Sequence, residues 1–375
     1  MLDLNKCTGC TACAEICGVR AVTMQENSEG FLQPVINKDI CINCGRCEKV
    51  CPVNKKIASR KEVYVSRSLD KDVVAVSSSG GIFTEIAKYV FELGGVVSGC
   101  ALSDKKVAEH IIITEYNDLE RLRRSKYIQS TKYDVFKKLK SFLDTGLSAL
   151  FVGSPCEVAG LKSFLGKDYP NLITVDFICH GVPSPKVWQK YVKDTEKNFN
   201  KRITDVNFRS KIIGWKNFSV ELVFDDESKT SDVLTKNDYM RGFLENLYLR
   251  KSCYSCQFKN GNYHSDITVG DFFAVGRVMP EINKDEGTSL VIANTDKGFE
   301  IIDKISVNLM LLNQDSDILK YNDAYFSSPG NNFWRDKAIK EIFNKDFHTV
   351  IEKYCGNGFA SKLRRKISKI MVKDQ

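Results

Sequence analysis

Two stretches near the N-terminus decide how this chain begins: residues 7–17 read CTGCTACAEIC, and residues 41–52 read CINCGRCEKVCP. Both place four cysteines at the spacing C-x2-C-x2-C-x3-C, with corresponding cysteines 34 residues apart. This spacing lets three thiolates of one run hold an iron–sulfur cube while the fourth reaches the cube of the other run. We therefore expect two 4Fe-4S clusters, one on Cys7, Cys10, Cys13 and Cys51, the other on Cys41, Cys44, Cys47 and Cys17.

The repeat predicts a two-cluster ferredoxin-like domain over residues 1–56, made of two related halves. A hairpin from about Ala21 to Ile36, with its turn at residues 27–30, joins the halves. A glycine follows the last cysteine of the first run, where this pattern usually has proline. Structural zinc is the alternative. A zinc site needs four ligands, commonly arranged as two CxxC pairs. It does not require three closely spaced cysteines followed by a fourth, a pattern that this sequence contains twice.

The length and composition set the class of protein. At 375 residues the chain is long enough for one or two further domains with their own core. No stretch reaches the ~20 apolar residues that a membrane span needs, and the cysteines that follow Met1 leave no room for a signal peptide. We therefore expect a cytoplasmic protein, whose cysteines stay reduced and available as ligands, and exposed clusters would suit an anaerobe.

The pattern after the ferredoxin-like domain predicts an α+β protein. Helical and strand periods alternate without a Rossmann or Walker phosphate motif, which favours a mixed β-sheet flanked by helices. A polar, basic linker at residues 53–61 leads into it. We expect a catalytic region in two parts, residues 62–148 and 149–310, and a helical, basic extension over residues 311–375.

One helix start is unusually well marked. Ser154 stands at the cap, Pro155 at the first position, and Glu157 completes a capping box. Cys156 then lies in the first turn, where the helix dipole favours its thiolate. This position predisposes Cys156 to act as a ligand or nucleophile.

Six cysteines lie outside the two runs, and four of them could converge. Cys179 ends a predicted strand that runs just after the Cys156 helix, so parallel packing would bring both to one sheet edge. A CxxC farther along the chain supplies two more thiols. We expect a third 4Fe-4S cluster on Cys156, Cys179, Cys253 and Cys256. The alternative makes Cys179 a buried small hydrophobe and the CxxC a redox or zinc pair. We assign to packing the two that remain, Cys100 and Cys355.

Several short motifs together resemble one family, the beta subunits of coenzyme F420 hydrogenase/dehydrogenase. The resemblance covers most of residues 63–304 in addition to the cysteine runs. Its motifs are SSSGG at 77–81, SKY at 125–127, GSPCE at 153–157, CHG at 179–181, FRSKIIGW at 208–215, the CxxC, DITVGDF at 266–272 and the segment 287–298. It implies a bound FAD close to a 4Fe-4S cluster, with electrons passing between clusters, flavin and a small organic acceptor or deazaflavin.

The resemblance also suggests where the flavin binds. In the SSSGG motif, glycines at a helix start would expose backbone N–H groups to an anionic phosphate or to the edge of a flavin ring. The alternative is an ordinary helix cap whose glycines allow tight packing. We expect FAD contacts from Ser78, Ser79, Gly80, Gly81, Lys126 and Arg209. Lys126 and His180 are the candidate catalytic residues, because one offers a cation to the reduced flavin and the other can relay a proton near neutral pH.

Charge is concentrated at the C-terminus. The net charge is +8, and the last 45 residues hold eleven Lys and Arg against five Asp and Glu. The segment KLRRKISKIMVK at 362–373 spaces Leu363, Ile367, Ile370 and Met371 along one helical face. Such a helix could lie on an anionic membrane, dock an acidic electron donor, or simply pack on its own domain. No recognition motif accompanies the charge, so nucleic acid is not an expected partner.

Two functions from different classes follow. The first is a flavin-dependent iron–sulfur oxidoreductase, in which FAD joins one-electron clusters to a two-electron substrate reaction. The second is a non-catalytic electron-transfer subunit that docks to a separate catalytic partner. The expected partners are a redox donor such as ferredoxin or a hydrogenase/dehydrogenase-type subunit, a small-molecule acceptor, and a second copy of the chain in a homo-oligomer.

Overall fold

The computed structural model describes residues 2–53, 55–57 and 61–373, with the side chains of residues 2–53, 55–57 and 61–371. The fold is α+β, as the sequence predicts. Its strands are β1 (Val22–Glu26), β2 (Leu32–Ile36), β3 (Glu62–Ser68), β4 (Val96–Leu102), β5 (Ala108–Ile113), β6 (Ala149–Val152), β7 (Leu172–Phe177), β8 (Ile203–Ser210), β9 (Ser219–Phe224), β10 (Lys229–Val233), β11 (Ile267–Asp271), β12 (Ser289–Ala293) and β13 (Leu309–Gln314).

The helices flank these strands and dominate the C-terminal part. They are α1 (Ala12–Glu15), α2 (Arg46–Lys49), α3 (Lys71–Val76), α4 (Ile82–Glu92), α5 (Val135–Asp144), α6 (Pro155–Leu165), α7 (Pro185–Phe199), α8 (Asp238–Leu244), α9 (Val275–Val278), α10 (Asp296–Ile305), α11 (Asp323–Phe326), α12 (Arg335–Asn344), α13 (Phe347–Cys355) and α14 (Phe359–Lys373). No helix among the described residues is long and apolar enough to cross a membrane.

The largest sheet is mixed and has the strand order β13-β3-β12-β11-β7-β6-β4-β5. Its four central strands, β11, β7, β6 and β4, are parallel, and the outer pairs are antiparallel. The carboxyl ends of the parallel strands therefore lie at one edge, together with the end of β3 and the start of β12. The carboxyl edge of parallel strands is where α/β sheets commonly bind ligands. Strands from residues 62–148 and 149–310 join in this one sheet.

The N-terminal residues form a small domain of their own on the larger body. Strands β1 and β2 pair antiparallel as the predicted hairpin, and the Asn27 side chain accepts hydrogen bonds from two backbone N–H groups inside its turn. The Arg335 guanidinium forms a buried, two-point ion pair with Glu29 of the same turn. Of the predicted linker, residues 54 and 58–60 lie outside the described residues. Lys55 and Ile57 nevertheless hydrogen-bond to the body.

The helical periodicity of the sequence predicts helices over residues 118–127 and 238–250, and both segments differ from this in the structure. The segment 118–127 forms only a 3-10 turn, Tyr116–Arg121. The helix predicted over 238–250 stops at Leu244, because Asn246 adopts a left-handed conformation that turns the chain inward. Residues 247–249 are then fully buried, and the chain continues into the segment that carries the CxxC.

The centre of the sheet contains a buried acid. Asp176 lies in β7, fully buried, and its Oδ1 atom accepts a hydrogen bond of 2.5 Å from Thr268 on β11. Its Oδ2 atom has no hydrogen-bond partner among the described residues. Burial raises the pKa of Asp176 to about 8. The side chain is therefore protonated at neutral pH.

This pKa predicts a pH-dependent stability. Between pH 4 and 8 the unfolded chain has an ionised Asp176 while the folded protein keeps it protonated, so stability falls as pH rises through this range. Asp176→Asn removes the titration, and we expect its melting temperature to fall less than that of the parent between pH 6 and 8. Asp226→Asn is the control, because hydrogen bonds from Lys201 and Ser228 lower the pKa of Asp226 to about 2. Parallel slopes for Asp176→Asn and the parent would contradict this assignment.

Candidate functional site

The first set of cysteines lines one cavity of about 400 Å³, and it is the set that the spacing predicts: Cys7, Cys10, Cys13 and Cys51. Burial raises the pKa of Cys10 to about 11, and the neighbouring thiols add to the shift. Burial raises the pKa of Cys13 as well, again reinforced by the other thiols of the set. Cys10 and Cys13 are buried, and Cys7 and Cys51 are partly buried. Thiolates this close together repel one another until they coordinate iron, so this donor set fits a 4Fe-4S cluster.

The second run folds like the first. Gly9 and Thr11 have left-handed backbones in the first run, and Asn43 and Gly45 have them at the equivalent positions in the second. Each pair curls its chain so that three thiols face inward. The predicted fourth ligand, Cys17, accepts a hydrogen bond of 3.2 Å from the Ala21 N–H and packs against the same apolar cluster as the second run. Cys44 is exposed, so this second set lies nearer to solvent.

A second cavity, of about 620 Å³ and partly open to solvent, is lined by the other four candidate ligands, Cys156, Cys179, Cys253 and Cys256. Burial raises the pKa of Cys156, and the charges of Glu157, Cys256 and Cys179 add to the shift, so burial outweighs the helix dipole and the predicted stabilisation of its thiolate is wrong. Burial likewise raises the pKa of Cys253 to about 11, although the charge of Arg250 opposes the shift. The predicted convergence of the four thiols is therefore present.

Zinc is the alternative for these four cysteines. Tetrahedral zinc with Zn–S bonds of about 2.3 Å holds its sulfurs about 3.8 Å apart. Among the described residues, no three of these thiols lie within 4.8 Å of one another. The choice between a cluster and zinc is therefore left to the metal content of the protein.

The two cavities adjoin each other. Thr8 and Val53 line both of them. Helix α6, which begins beside Cys156, also contacts the first cysteine run one turn later, since a Cβ atom added to Gly160 would lie 2.8 Å from the Cβ of Cys10. The fold thus sets the N-terminal cysteine sites against the cysteine cavity of the body.

A buried polar network underlies Cys156. The capping box is formed, and Glu157 also accepts a hydrogen bond of 2.6 Å from the buried Lys132 ammonium. Ser130 donates to Glu157 and contacts His110, whose pKa burial lowers to about 4. The capping motif predicted only the local part of this network. Nothing in the spacing of the sequence signals Lys132 or His110.

The SSSGG loop has a different role from the one expected for its glycines. The Gly80 N–H donates to the Ser289 hydroxyl, and a Cβ there would lie 2.8 Å from the Ser66 carbonyl oxygen. A Cβ on Gly81 would meet Val73 at 2.8 Å. These two glycines therefore allow tight packing on β3 and α3, which was the alternative interpretation, and the expected exposed N–H at Gly80 is wrong.

The other expected flavin residues gather around this loop. Ser78 accepts a hydrogen bond of 2.9 Å from the Ser125 N–H, and Ser79 donates to the Thr288 carbonyl. Lys211, which the motifs did not single out, donates to the Ser79 carbonyl at 2.9 Å. Burial lowers the pKa of this lysine to about 8. Four motifs distant in sequence thus meet at the carboxyl edge of the sheet.

The two expected cations have internal partners. Lys126 donates to the carbonyls of Arg121 and Arg123, and burial lowers its pKa to about 8. Arg209 forms a two-point ion pair with Asp271, and its Nε atom is buried without a hydrogen-bond partner among the described residues. Both side chains lie close to the proposed flavin region, but their charges are already partly offset.

The remaining candidates fall in separate places. His180 lines the cysteine cavity, and its ring contacts the Asn246 side-chain oxygen at 2.7 Å. Burial lowers the pKa of His180 below its usual value, so the neutral ring predominates at pH 7. Cys355 is buried in the helical core, and Cys100 packs at the margin of that core.

Family models of known proteins match most of the chain. Residues 63–137 match the N-terminal model, and residues 147–317 the C-terminal model, of the coenzyme F420 hydrogenase/dehydrogenase beta subunit. Residues 6–55 match a 4Fe-4S dicluster domain. The chain belongs to the family of coenzyme F420 hydrogenase/dehydrogenase beta subunits. It is thus an iron–sulfur protein of a redox family, as the motifs predicted.

The chain matches only part of the length of its relatives. The chain is 25% identical over 171 residues to one component of the F(420)H(2) dehydrogenase of Methanosarcina mazei, covering 42% of this chain and 48% of that protein. It is 35% identical over 170 residues to the coenzyme F420-dependent sulfite reductase of Methanocaldococcus jannaschii, covering 43% of this chain and 26% of that protein. The chain therefore spans about half of the first relative and a quarter of the second.

A solved structure with some likeness is the F420-reducing nickel–iron hydrogenase complex of Methanosarcina barkeri. The match has 18% identity and a TM-score of 0.45, and it covers 81% of this chain and 94% of that chain.

The contact at Gly160 generates a prediction for this family member. Gly160→Val forces a branched side chain against Cys10, and overpacking of this kind costs typically about 1–3 kcal/mol. We expect a lower melting temperature and faster loss of iron from the N-terminal clusters in an iron-chelator assay. Gly18→Ala is the control, because its new Cβ would meet only the Arg46 guanidinium, at 4.0 Å. Equal iron loss in the two variants would refute the contact.

Proposed function

We propose that this protein is an iron–sulfur flavoprotein oxidoreductase. Its two N-terminal 4Fe-4S clusters, a third cluster on the four cysteines of the body, and FAD pass electrons to or from a small organic substrate or a deazaflavin-like coenzyme. The observation that carries the proposal is the cavity formed by Cys156, Cys179, Cys253 and Cys256, which adjoins the first cluster site. The third cluster would stand between the N-terminal clusters and the flavin.

The sheet supports the order of these sites. Cys156 and Cys179 follow β6 and β7, while Ser79, Asp271 and Thr288 lie by β3, β11 and β12 at the same edge. The cysteine cavity and the loop around Ser79 are therefore neighbours along one edge.

Several features of the Ser79 region fit a flavin. Ser66 and Arg209 each keep a buried polar atom without a hydrogen-bond partner among the described residues. Phe273 is partly exposed at the sheet edge, where it stacks on Trp215 with ring centroids 4.9 Å apart and has the Arg209 guanidinium 5.6 Å from its ring centroid. A flat ring system binds best against such aromatic and apolar walls with a few polar groups. These unsatisfied groups and the partly exposed aromatic ring favour FAD here.

The roles of the chain's own groups follow from their positions. When bound, FAD supplies the conversion between one-electron and two-electron transfer. Lys211 and Lys126 place positive charge where a reduced flavin would be anionic, and their lowered pKa values make proton release at these atoms accessible near pH 8. His180 lies in the cysteine cavity with a neutral ring, and its role as a proton relay stays a prediction.

The second candidate is a non-catalytic electron-transfer subunit. The Methanosarcina mazei relative is named as part of a dehydrogenase with several subunits, which favours this candidate. A separate catalytic partner would then bind substrate, and the open edge around Phe273 would be a docking surface instead of a substrate pocket. Bound flavin distinguishes the two candidates, because only the first needs it in this chain.

The C-terminal helix is the proposed contact for an acidic or anionic partner. Helix α14 docks through its buried serines, Ser361 and Ser368, and leaves Leu363, Ile370 and Met371 exposed beside its lysines. The alternative in which this apolar face packs on its own domain is wrong for these three residues. A peripheral membrane, an acidic ferredoxin or a second copy of the chain remains a prediction for what covers them.

The third cluster is tested by removing one of its four candidate ligands. We expect anaerobically purified parent protein to contain about twelve iron atoms per chain, and Cys253→Ala to contain about eight, because one cube of four irons is lost. Iron and acid-labile sulfide per folded chain are the measurement. Cys100→Ala is the control, since Cys100 is a partly buried thiol that packs near the helical core. Unchanged iron in Cys253→Ala would leave the CxxC as a redox or structural pair.

The flavin site is tested at the exposed ring. Phe273→Ala removes the stacking surface, and we expect FAD affinity to fall about tenfold, since such contacts contribute roughly 1–1.5 kcal/mol. Fluorescence titration of flavin-depleted protein measures it. Phe299→Ala is the matched control, because Phe299 is similarly exposed on α10, which follows β12 at the opposite edge of the sheet. Equal FAD affinities for the two variants would place the flavin elsewhere.

A further inference from the structure

One buried cation lies between the two cysteine cavities without an acidic partner among the described residues. Arg250 is only 4% exposed and follows the inward turn after α8. Its backbone N–H donates to the Val182 carbonyl, and its own carbonyl accepts from the Cys253 N–H. Arg250 therefore begins the short turn that carries both cysteines of the CxxC.

Its side chain reaches into the first cysteine run. The Nε atom donates to the Cys7 carbonyl at 2.7 Å, and Nη2 donates to the Leu32 carbonyl at 2.9 Å. Ser252 adds a hydrogen bond of 2.9 Å to the same Cys7 carbonyl. A Cβ added to Gly9 would lie 3.0 Å from Nη1, so the guanidinium also lies against the loop between Cys7 and Cys10.

The charge of Arg250 has no counter-ion of its own in the described part of the chain. Within those residues no carboxylate pairs with it, its guanidinium lies 5.4 Å from the centroid of the Phe31 ring, and its buried Nη1 atom has no hydrogen-bond partner. Two other buried guanidinium groups, those of Arg209 and Arg335, each have a carboxylate at two points. Burying an unpaired charge costs several kcal/mol, so a negative group is expected beside Arg250.

Two such groups are available in the proposed function. A cube held by four thiolates carries about two negative charges, and the cavities on both sides of Arg250 each have four thiols. The guanidinium lines the cavity of the third set and hydrogen-bonds the backbone of the first. The clusters would therefore bring the negative charge that this buried guanidinium requires.

We propose that Arg250 is a positioning residue that holds the first and third clusters against each other and favours their reduced forms. This inference rests on the proposed third cluster. With both clusters bound, one electron would pass between the first and the third, so that one is oxidised as the other is reduced, and no proton or bond would be exchanged. Reduction adds a negative charge to a cluster, so a fixed positive charge stabilises the reduced state of either neighbour.

Two substitutions separate the charge from the hydrogen bonds. Arg250→Met removes both, whereas Arg250→Lys keeps the charge but cannot make the same set of hydrogen bonds. Lys251→Met is the matched control, because Lys251 is the adjacent residue and its exposed side chain pairs with Asp336 at the surface. The full chain is prepared anaerobically, its iron is counted, and its clusters are titrated under electron paramagnetic resonance. Signals absent from Cys253→Ala identify the third cluster.

We expect Arg250→Met to keep its iron. At a given potential the ratio of oxidised to reduced cluster should be about tenfold higher than in the parent, which corresponds to a midpoint potential about 59 mV lower for a one-electron couple. Arg250→Lys should titrate close to the parent yet melt at a lower temperature, and Lys251→Met should match the parent in both. If the Met and Lys variants of Arg250 shift alike, or neither shifts, Arg250 only packs and the inference is overturned. Should Arg250→Met lose iron, Arg250→Gln, which also lacks the charge, takes its place in the same comparison with Arg250→Lys.

The proposed function is judged by a separate result. If Cys253→Ala keeps all of its iron, the third cluster does not exist, whatever the Arg250 variants do. If Cys253→Ala loses four irons and the Arg250→Met titration is unchanged, the cluster stands and only the role of Arg250 falls.

Discussion

The close approach of helix α6 to the first cysteine run is the contact on which the rest of the site depends. Gly160 has no side chain, so the helix can approach the side chain of Cys10 closely, with Cys156 one turn earlier in the same helix. A larger residue would push the helix and the cluster loop apart. Because the helix also begins after β6, the same contact orients the N-terminal domain on the carboxyl edge of the sheet.

That edge gathers residues that the sequence keeps far apart. The hydrogen bonds from Lys211 to Ser79 and from Ser125 to Ser78 each connect residues from separate stretches of chain. They are possible because β3, β11 and β12 end or begin side by side. The mixed sheet thus supplies a common surface for short polar loops. In its interior, Asp176 and its partner Thr268 form a buried polar contact.

How much the sequence could predict depends on whether the signal is local. The cysteine spacing and the capping box at Ser154 are local, and the cavity around Cys7 and the helix start were both placed correctly. The glycines of the SSSGG loop are compatible both with ligand binding and with tight packing of the backbone. The contacts of Gly80 with Ser66 and Ser289, which lie on other strands, show the packing, and such contacts cannot be read from the sequence. The partner of Glu157, Lys132, depends on tertiary packing, so no spacing in the sequence could have found it.

The interface between the N-terminal residues and the body combines an apolar cluster with two buried arginines. Ala12, Val22 and Val50 share one apolar cluster with α5 and α6. Arg335 pairs with Glu29 of the hairpin turn, whereas the Arg250 guanidinium meets backbone carbonyls and the face of Phe31. Burying a charge without compensation is costly, so under the proposed function the clusters would supply the negative charge that Arg250 lacks among the described residues.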